Sequence, residues 1–192
     1  SLPRQAEVHG LAALLELQAS RLPTRQGEHG DPVLLFEQDR SRWDRLLVQR
    51  GLAALAAAEA LGGVAGPYVL QARIAACHAR AASPSATDWA SIVAHYDQLL
   101  GVAPSPVVAL NRAVAVAMAF GAEVGLHLVE DLVQEPALAE YHLLPSVRGE
   151  LLRRLGRVAE AQVEFLRAAA MTGNAAERTA LLRRAAVCGE GG

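Results

Sequence analysis

Short segments rich in Ala and Leu, each ended by Gly or Pro, recur along the whole sequence and constrain its fold more than any other feature. Hydrophobic residues make up 52% of the 192 residues, but aromatic residues make up only 4%. Ala and Leu are strong helix formers, whereas a β-sheet would need more Ile, Thr and aromatic residues. The sequence therefore predicts an all-α protein.

The apolar residues recur at helical spacing in about nine segments. These predicted helices cover residues 6–22, 41–61, 67–82, 88–100, 107–120, 123–134, 137–155, 158–171 and 175–187. Ser41 and Asp44 fit a capping box for the second helix, and Thr87 is placed to cap the fourth. Pro145 should kink or interrupt the seventh helix. Residues 33–36 are expected to form an extended segment packed on the helices.

An internal repeat is visible near the end of the chain. Gly149, Ala161 and Phe165 fall at the spacing of the packing residues in a TPR repeat, and Gly121 precedes Gly156 by 35 residues, close to the repeat length of about 34 residues. The pattern predicts a right-handed array of antiparallel helical hairpins that is TPR-like. We expect residues 1–64 to form an amino-terminal helical pair, and residues 65–192 to form the hairpins, within one continuous structural unit.

Motifs for catalysis, metal binding and cofactor binding are missing from the sequence. The six histidines include no H-E-x-x-H pair, and no phosphate-binding loop, dinucleotide fingerprint or nucleophile elbow occurs. We therefore expect no enzyme activity, no catalytic residue, no metal and no cofactor. Cys77 is expected to be buried as a small hydrophobic residue, whereas Cys188, near a Gly-rich tail, is expected to be exposed.

Charge and hydropathy give expectations about partners and location. The formal net charge is −2, so no strong field attracts nucleic acid, and nothing resembles a recognition helix. Charged residues interrupt every apolar run, so no segment is long enough to span a bilayer. Without a visible signal peptide, the sequence predicts a cytoplasmic location, with neither direct DNA binding nor membrane association.

Two stretches combine Trp with charge at the start of a helix, residues 39–44 (D-R-S-R-W-D) and residues 87–89 (T-D-W). Arg42 and Trp43 could be structural anchors, with Trp buried and the ions paired, or they could contact a partner, because Arg and Trp are enriched at binding hot spots. Asn111 and Arg112 lie in an otherwise apolar helix. They could form an interhelical hydrogen bond or a polar contact in a concave groove, because buried polar groups need partners.

Several stretches together resemble the carboxy-terminal region of extracytoplasmic-function sigma factors that carry a TPR-like extension. The resemblance covers about residues 6–186. The stretches are residues 35–44 (L-F-E-Q-D-R-S-R-W-D), 66–68 (G-P-Y) with Gln71, 88–89 (D-W), 104–115 (P-S-P-V-V-A-L-N-R-A-V-A), 141–144 (Y-H-L-L) and 151–157 (L-L-R-R-L-G-R). Pro145 departs from the pattern, because uninterrupted helix is expected there.

The resemblance implies a regulatory protein-interaction module that controls transcription initiation in cis. Its implied partners are the sigma regions of the same full-length protein or core RNA polymerase. It implies no catalytic residue. Our candidates for partner or ligand binding are Arg42, Trp43, Tyr68, Gln71, Asn111, Arg112, Tyr141 and His142.

Two alternatives remain open at this point. The candidate residues could lie between hairpins, where their role would be structural. The chain could also be a stand-alone TPR-type adaptor, in which Asn111 and Arg112 grip the carboxylate of a peptide.

Overall fold

The computed structural model describes residues 2–26, 33, 38–62 and 65–190. In these residues there are nine α-helices and no β-strand, so the prediction of an all-α fold is confirmed. Apart from Val33, the predicted extended segment at residues 33–36 lies outside the described residues.

The helices are numbered in chain order. They are α1 (Leu2–Ala19), α2 (Arg45–Ala60), α3 (Pro67–Arg80), α4 (Trp89–Val102), α5 (Pro106–Phe120), α6 (Ala122–Leu132), α7 (Leu143–Arg154), α8 (Val158–Met171) and α9 (Ala175–Glu190). Short 3₁₀ turns lie at Leu22–Thr24, Arg40–Arg42, Pro84–Ala86 and Pro136–Leu138.

Local signals explain several helix ends. Pro67 and Pro106 are the first residues of α3 and α5, a position where the missing N–H costs no helical hydrogen bond. Gly121 and Gly156 have φ angles of 109° and 75°, in the left-handed region that Gly adopts without steric cost. These two glycines therefore end α5 and α7, and allow α6 and α8 to begin within three residues.

The described residues up to Pro104 form the first of two compact units, which contains α1 to α4. Within it α1 packs against both α2 and α3. The core is built from small and branched residues of these three helices: Ala13, Leu17, Leu55, Ala58, Val69, Ala72 and Ala76. Burying a leucine side chain fully contributes roughly 1.5–3 kcal/mol, so Leu17 and Leu55 are among its main stabilising residues.

Two glycines allow close approach within the first unit. A Cβ atom on Gly10 would lie 2.7 Å from the backbone nitrogen of Val69. A Cβ atom on Gly51 would lie 2.7 Å from Cγ of Leu17. These helices therefore touch nearly backbone to backbone at positions where a side chain would not fit.

The second compact unit begins at Ser105 and contains α5 to α9. Each of these helices packs against its neighbours in sequence. The large side chains fully buried in its core include Leu110, Val129, Leu152 and Phe165. The right-handed, TPR-like form of this packing stays a prediction.

The division into units differs from the domain boundary placed after residue 64. Helix α3 supplies Val69, Ala72 and Ala76 to the same core as α1 and α2. Because these side chains complete that core, α3 belongs with the amino-terminal helices, and the division falls after Pro104.

The helix predicted at residues 137–155 is interrupted before Pro145. Residues Pro136–Leu138 form a 3₁₀ turn, and α7 begins only at Leu143, with Pro145 in its first turn, where no N–H donor is needed. The expectation for Cys188 is wrong. Cys188 is buried rather than exposed. Helix α9 continues to Glu190, and this places Cys188 against the core of the second unit.

Candidate protein-interaction site

The D-R-S-R-W-D segment, residues 39–44, contains two helix caps, one at each end. Asp39 accepts a hydrogen bond from the backbone N–H of Ser41 at 2.9 Å and so caps the 3₁₀ turn. Asp44 accepts from the N–H groups of Leu46 and Leu47 at 2.9 and 3.0 Å and caps α2. The predicted capping box between Ser41 and Asp44 is wrong, because Ser41 lies inside the separate 3₁₀ turn and Asp44 is itself the cap.

Arg40 joins this segment to the end of α3. Its Nη1 donates to the carbonyl oxygens of His78, Ala81 and Ser83 at 3.1, 3.1 and 3.0 Å. Its Nη2 donates to Oγ1 of Thr87 at 2.8 Å. The last carbonyl groups of a helix have no partner within the helix, so Arg40 satisfies them from outside. No sequence pattern distinguishes Arg40 from the neighbouring Arg42.

Because Thr87 accepts this hydrogen bond from Arg40, it is not the cap of α4. The prediction that Thr87 caps α4 is wrong. The cap is the next residue, Asp88, which accepts from the N–H of Ser91 at 2.9 Å. Hydrogen bonds from Ser91 hold the pKa of the Asp88 carboxyl below its usual value. Because Asp88 and not Thr87 caps α4, Thr87 lies buried between the 3₁₀ turn Pro84–Ala86 and α4.

Trp43 is buried, with 5% of its surface exposed. The guanidinium carbons of Arg40 and Arg21 lie 5.6 and 5.9 Å from its ring centroid, which is within the range of a cation–π interaction. Arg42, the adjacent candidate, is exposed. The structure thus separates the two candidates, with Trp43 anchored in the first unit and Arg42 presented on its surface.

His78 lies beside this cluster. Its ring contacts Trp89 edge-on, with centroids 5.2 Å apart and an interplanar angle of 76°. Burial, and then the positive charges of Arg40 and Arg21, lower the pKa of His78 to about 4. His78 is therefore neutral at pH 7 and is part of the packing of α3 against α4.

Tyr68 and Gln71 lie in the first turns of α3. Tyr68 is 44% exposed, while its backbone N–H donates to the Glu7 carboxylate of α1 at 2.9 Å. Gln71 is half-buried, and its Nε2 donates to the carbonyl oxygen of Pro67 at 3.2 Å. Tyr68 therefore offers its side chain to the surface, whereas Gln71 is engaged with its own helix.

Asn111 and Arg112 lie in α5 of the second unit. Asn111 is exposed and Arg112 is half-buried. Their neighbours Leu110 and Ala113 are buried in the core of this unit. The helix therefore directs Leu110 and Ala113 inward and Asn111 toward the surface.

Tyr141 and His142 stand at the start of α7, with ring centroids 6.1 Å apart. His142 Nε2 lies 3.2 Å from Oε2 of Glu177 on α9. The same carboxylate oxygen accepts from Oγ1 of Thr172 at 2.7 Å. Both candidates are half-buried and contribute to a polar contact between the ends of three helices.

A buried ion pair in the second unit carries no sequence signal and was missed. Nη1 of Arg148 on α7 donates to Oε1 of Glu164 on α8 at 2.7 Å, and Nη2 lies 3.7 Å from Oε1 of Glu130 on α6. Glu164 is buried. One arginine thereby links three consecutive helices, at positions too far apart in sequence for any local pattern.

The candidates thus fall into two sets, one in each unit. Arg42, Trp43, Tyr68 and Gln71 belong to the first unit; Asn111, Arg112, Tyr141 and His142 belong to the second. Across the ranges that the structure describes, no three His, Cys, Asp or Glu side chains are grouped as a metal site. No helix in those ranges is both long enough and apolar enough to cross a membrane.

Comparison with known proteins gives two matches. Residues 1–59 match a protein family that is described as a family of unknown function (DUF6596). An uncharacterized protein of Rhizobium meliloti (strain 1021) is 45% identical over 175 residues, which cover 91% of this chain. The chain spans 41% of the length of that relative. No solved structure matches the chain.

Proposed function

We propose that this chain is a regulatory protein-interaction module of a bacterial sigma factor and controls transcription initiation in cis. The observation that carries the proposal is the alternation of buried and exposed residues within the two longest stretches that resemble sigma-factor extensions. In each stretch the buried residues fix the fold, and the exposed residues are held at defined positions on its surface.

In the first stretch, Arg40 and Trp43 attach the segment to the first unit while Arg42 between them is exposed. In the second, Leu110 and Ala113 are buried while Asn111 is exposed. An Arg or Asn on a backbone that is already ordered binds a partner at the cost of its side-chain entropy alone, because no backbone has to be ordered. This arrangement suits recognition, and nothing in it requires chemistry.

The outer face of α1 supports a protein contact. Val8, Leu11 and Leu15, spaced three and four residues apart, are 67%, 37% and 60% exposed. On a helix this spacing places all three side chains on one face. An apolar stripe of this kind on an exposed face is typical of a surface that another protein covers.

The proposed partner is the set of sigma regions of the same full-length protein, with core RNA polymerase as the second possibility. The sequence resemblance supports this choice, and the relative from Rhizobium meliloti is more than twice as long as the part matched by this chain. Binding in cis needs only modest affinity, because a covalent link raises the effective concentration of the partner to about the millimolar range.

The proposal includes a TPR-like arrangement of α5 to α8. A Cβ atom on Gly149 of α7 would lie 3.1 Å from the Phe165 ring of α8, and Ala161 and Phe165 are fully buried. Small residues at a close helix crossing, next to a large buried aromatic residue, are what the repeat pattern requires.

The test is a pull-down of the 192-residue chain against the separated sigma regions and against core RNA polymerase. We expect the sigma regions to bind, and Leu15→Glu to weaken binding at least tenfold, since burying a charge on an apolar face costs more than about 1.4 kcal/mol. Leu46→Glu is the matched control, because Leu46 is 62% exposed on α2 and lies outside the α1 stripe.

A second measurement addresses regulation. Deleting residues 1–192 from the full-length protein should change promoter activity or its response to a signal. If promoter activity and its regulation stay the same after the deletion, the proposal is wrong. Binding to neither the sigma regions nor core RNA polymerase would favour the stand-alone TPR-type adaptor.

A further inference from the structure

We propose that Arg21, Arg25 and Arg40, together with Trp43, form a binding site for a phosphate-type oxyanion in the first unit. This inference goes beyond the proposed regulatory function and does not depend on it. It rests on the geometry of the arginines, on the missing negative charge among the described residues around them, and on buried donors that have no acceptor.

Gln18 holds two of the guanidinium groups side by side. Its side-chain Oε1 accepts hydrogen bonds from Nη2 of Arg21 and from Nη2 of Arg25, the latter at 2.7 Å. Nη2 of Arg25 also donates to the backbone carbonyl oxygen of Gln18 at 3.1 Å. A single neutral oxygen thus fixes two positive groups near the end of α1.

The third arginine, Arg40, contacts the same Trp43 ring as Arg21. The guanidinium carbons of both Arg21 and Arg40 lie within 6.0 Å of its ring centroid, at 5.9 and 5.6 Å. Three like charges in a partly buried place destabilise one another. Accordingly burial, followed by the charges of Arg25 and Arg40, lowers the pKa of Arg21 to about 10.

No carboxylate among the described residues pairs with these arginines. Three described acidic residues near the cluster in sequence have other partners. Glu16 pairs with Arg50, and Asp39 and Asp44 accept from the backbone N–H groups that they cap. In the described part of the chain, the cluster therefore has a surplus of positive charge.

Buried donors in the cluster have no acceptor. These are Nε of Arg25, Nε of Arg40 and Nε1 of Trp43, and Trp43 is only 5% exposed. A buried polar group without a hydrogen bond costs about 1–3 kcal/mol. Folded proteins seldom retain such groups together unless a ligand, an ion or water satisfies them.

An oxyanion provides what the cluster lacks, namely negative charge and several acceptor atoms. Guanidinium groups bind phosphate and carboxylate through paired N–H donors. A phosphate monoester carries a charge of about −1.5 to −2 at pH 7 and has three acceptor oxygens, whereas a carboxylate carries a single charge. Three guanidinium groups therefore favour the phosphate group.

The test measures the melting temperature of the 192-residue chain in chloride, phosphate, phenyl phosphate and acetate at equal ionic strength. Phosphate at about ten times its Kd should raise Tm by about 3–6 °C relative to chloride. A larger rise with phenyl phosphate would support a phosphorylated organic ligand. An equal rise would support free phosphate.

Variants locate the site. Arg25→Gln and Arg21→Gln should each remove most of the phosphate-dependent rise. Arg50→Gln is the control, because Arg50 is an exposed arginine of the same unit that pairs with Glu16, and it should keep the full rise. Arg40 is unsuitable for this comparison, because it also holds the end of α3.

Three results would overturn the inference. Phosphate could raise Tm no more than chloride does, acetate could match phosphate, or Arg25→Gln could respond like the natural chain. The first two measurements need no variant, so a variant that fails to fold does not prevent the test. None of the measurements involves sigma regions, so the outcome is independent of the pull-down.

Discussion

The carboxylate of Glu7 accepts a hydrogen bond from the backbone N–H of Tyr68 at 2.9 Å, across 61 residues of sequence. The same carboxylate accepts from the N–H of Val69 at 3.2 Å. These N–H groups belong to the first turn of α3, whose own preceding residue, Gly66, has no side chain to cap the helix. A Cβ atom at Gly66 would lie 2.7 Å from the Glu7 carboxylate oxygens, so the missing side chain leaves room for this cap.

Replacing Glu7 with Ala should lower the free energy of unfolding by about 1–2 kcal/mol. The change removes a cap and a negative charge from the positive end of the α3 dipole. Glu7→Gln should cost less, because the amide oxygen still accepts a hydrogen bond. Urea denaturation of both variants measures the difference. Equal stability of Glu7→Ala and the natural chain would contradict this account.

Helix positions could be predicted from the sequence because their signals are local. The α8 segment was predicted as residues 158–171 and is found at Val158–Met171, since Gly156 ends the preceding helix and the apolar spacing continues unbroken. Pro67 likewise marks the first residue of α3. Signals of this kind act within one or two turns, so the residues concerned are close together in the sequence.

The polar contacts that join helices could not be predicted in the same way. Arg40 contacts carbonyl groups 38 to 43 residues away, and Arg148 reaches Glu164 on another helix. No spacing rule connects such residues. Cys188 was misplaced for a related reason, because the Gly-rich sequence beside it favours a chain end while packing against the core extends the helix.

Replacing Arg40 with Ala should lower the free energy of unfolding by about 2–4 kcal/mol, because charged hydrogen bonds are lost and carbonyl groups at the end of α3 are left without a donor. Arg42→Ala is the matched control two residues away. Arg42 is exposed, so its replacement should change stability by no more than about 0.5 kcal/mol. Similar values for the two variants in urea denaturation would refute the role of Arg40.

Helices α5 and α6 approach closely at Gly125. A Cβ atom there would overlap the Cβ of Ala117 and lie 2.9 Å from the carbonyl oxygen of Ala113. Gly125→Ala should therefore destabilise the second unit by about 1–3 kcal/mol through overpacking.

Gly101 is the control for this substitution. It lies in α4, and a Cβ atom there would meet nothing within 4 Å. Gly101→Ala should be neutral or stabilise by up to about 1 kcal/mol, because Ala favours the helix more than Gly does. Thermal denaturation should thus show a lower Tm for Gly125→Ala and an unchanged or higher Tm for Gly101→Ala, and a loss of stability in both would show that close approach is not the cause.

The neutral state of His78 makes the stability of the first unit depend on pH. Burial and the charges of Arg40 and Arg21 lower its pKa to about 4, from 6.5. Between these values the unfolded chain binds a proton that the folded chain does not. Stability must therefore fall as pH decreases from about 6.5 toward about 4, and not as pH rises.

We expect His78 to account for a loss of about 2 kcal/mol between about pH 7 and about pH 5, because each unit of pKa difference corresponds to about 1.4 kcal/mol. Urea denaturation at the two pH values measures the total loss, and His78→Gln should remove the part that belongs to His78. A smaller loss should remain in that variant, because burial also lowers the pKa of His95 on α4. If His78→Gln loses as much stability as the natural chain does over this interval, then His78 is not buried in its neutral form.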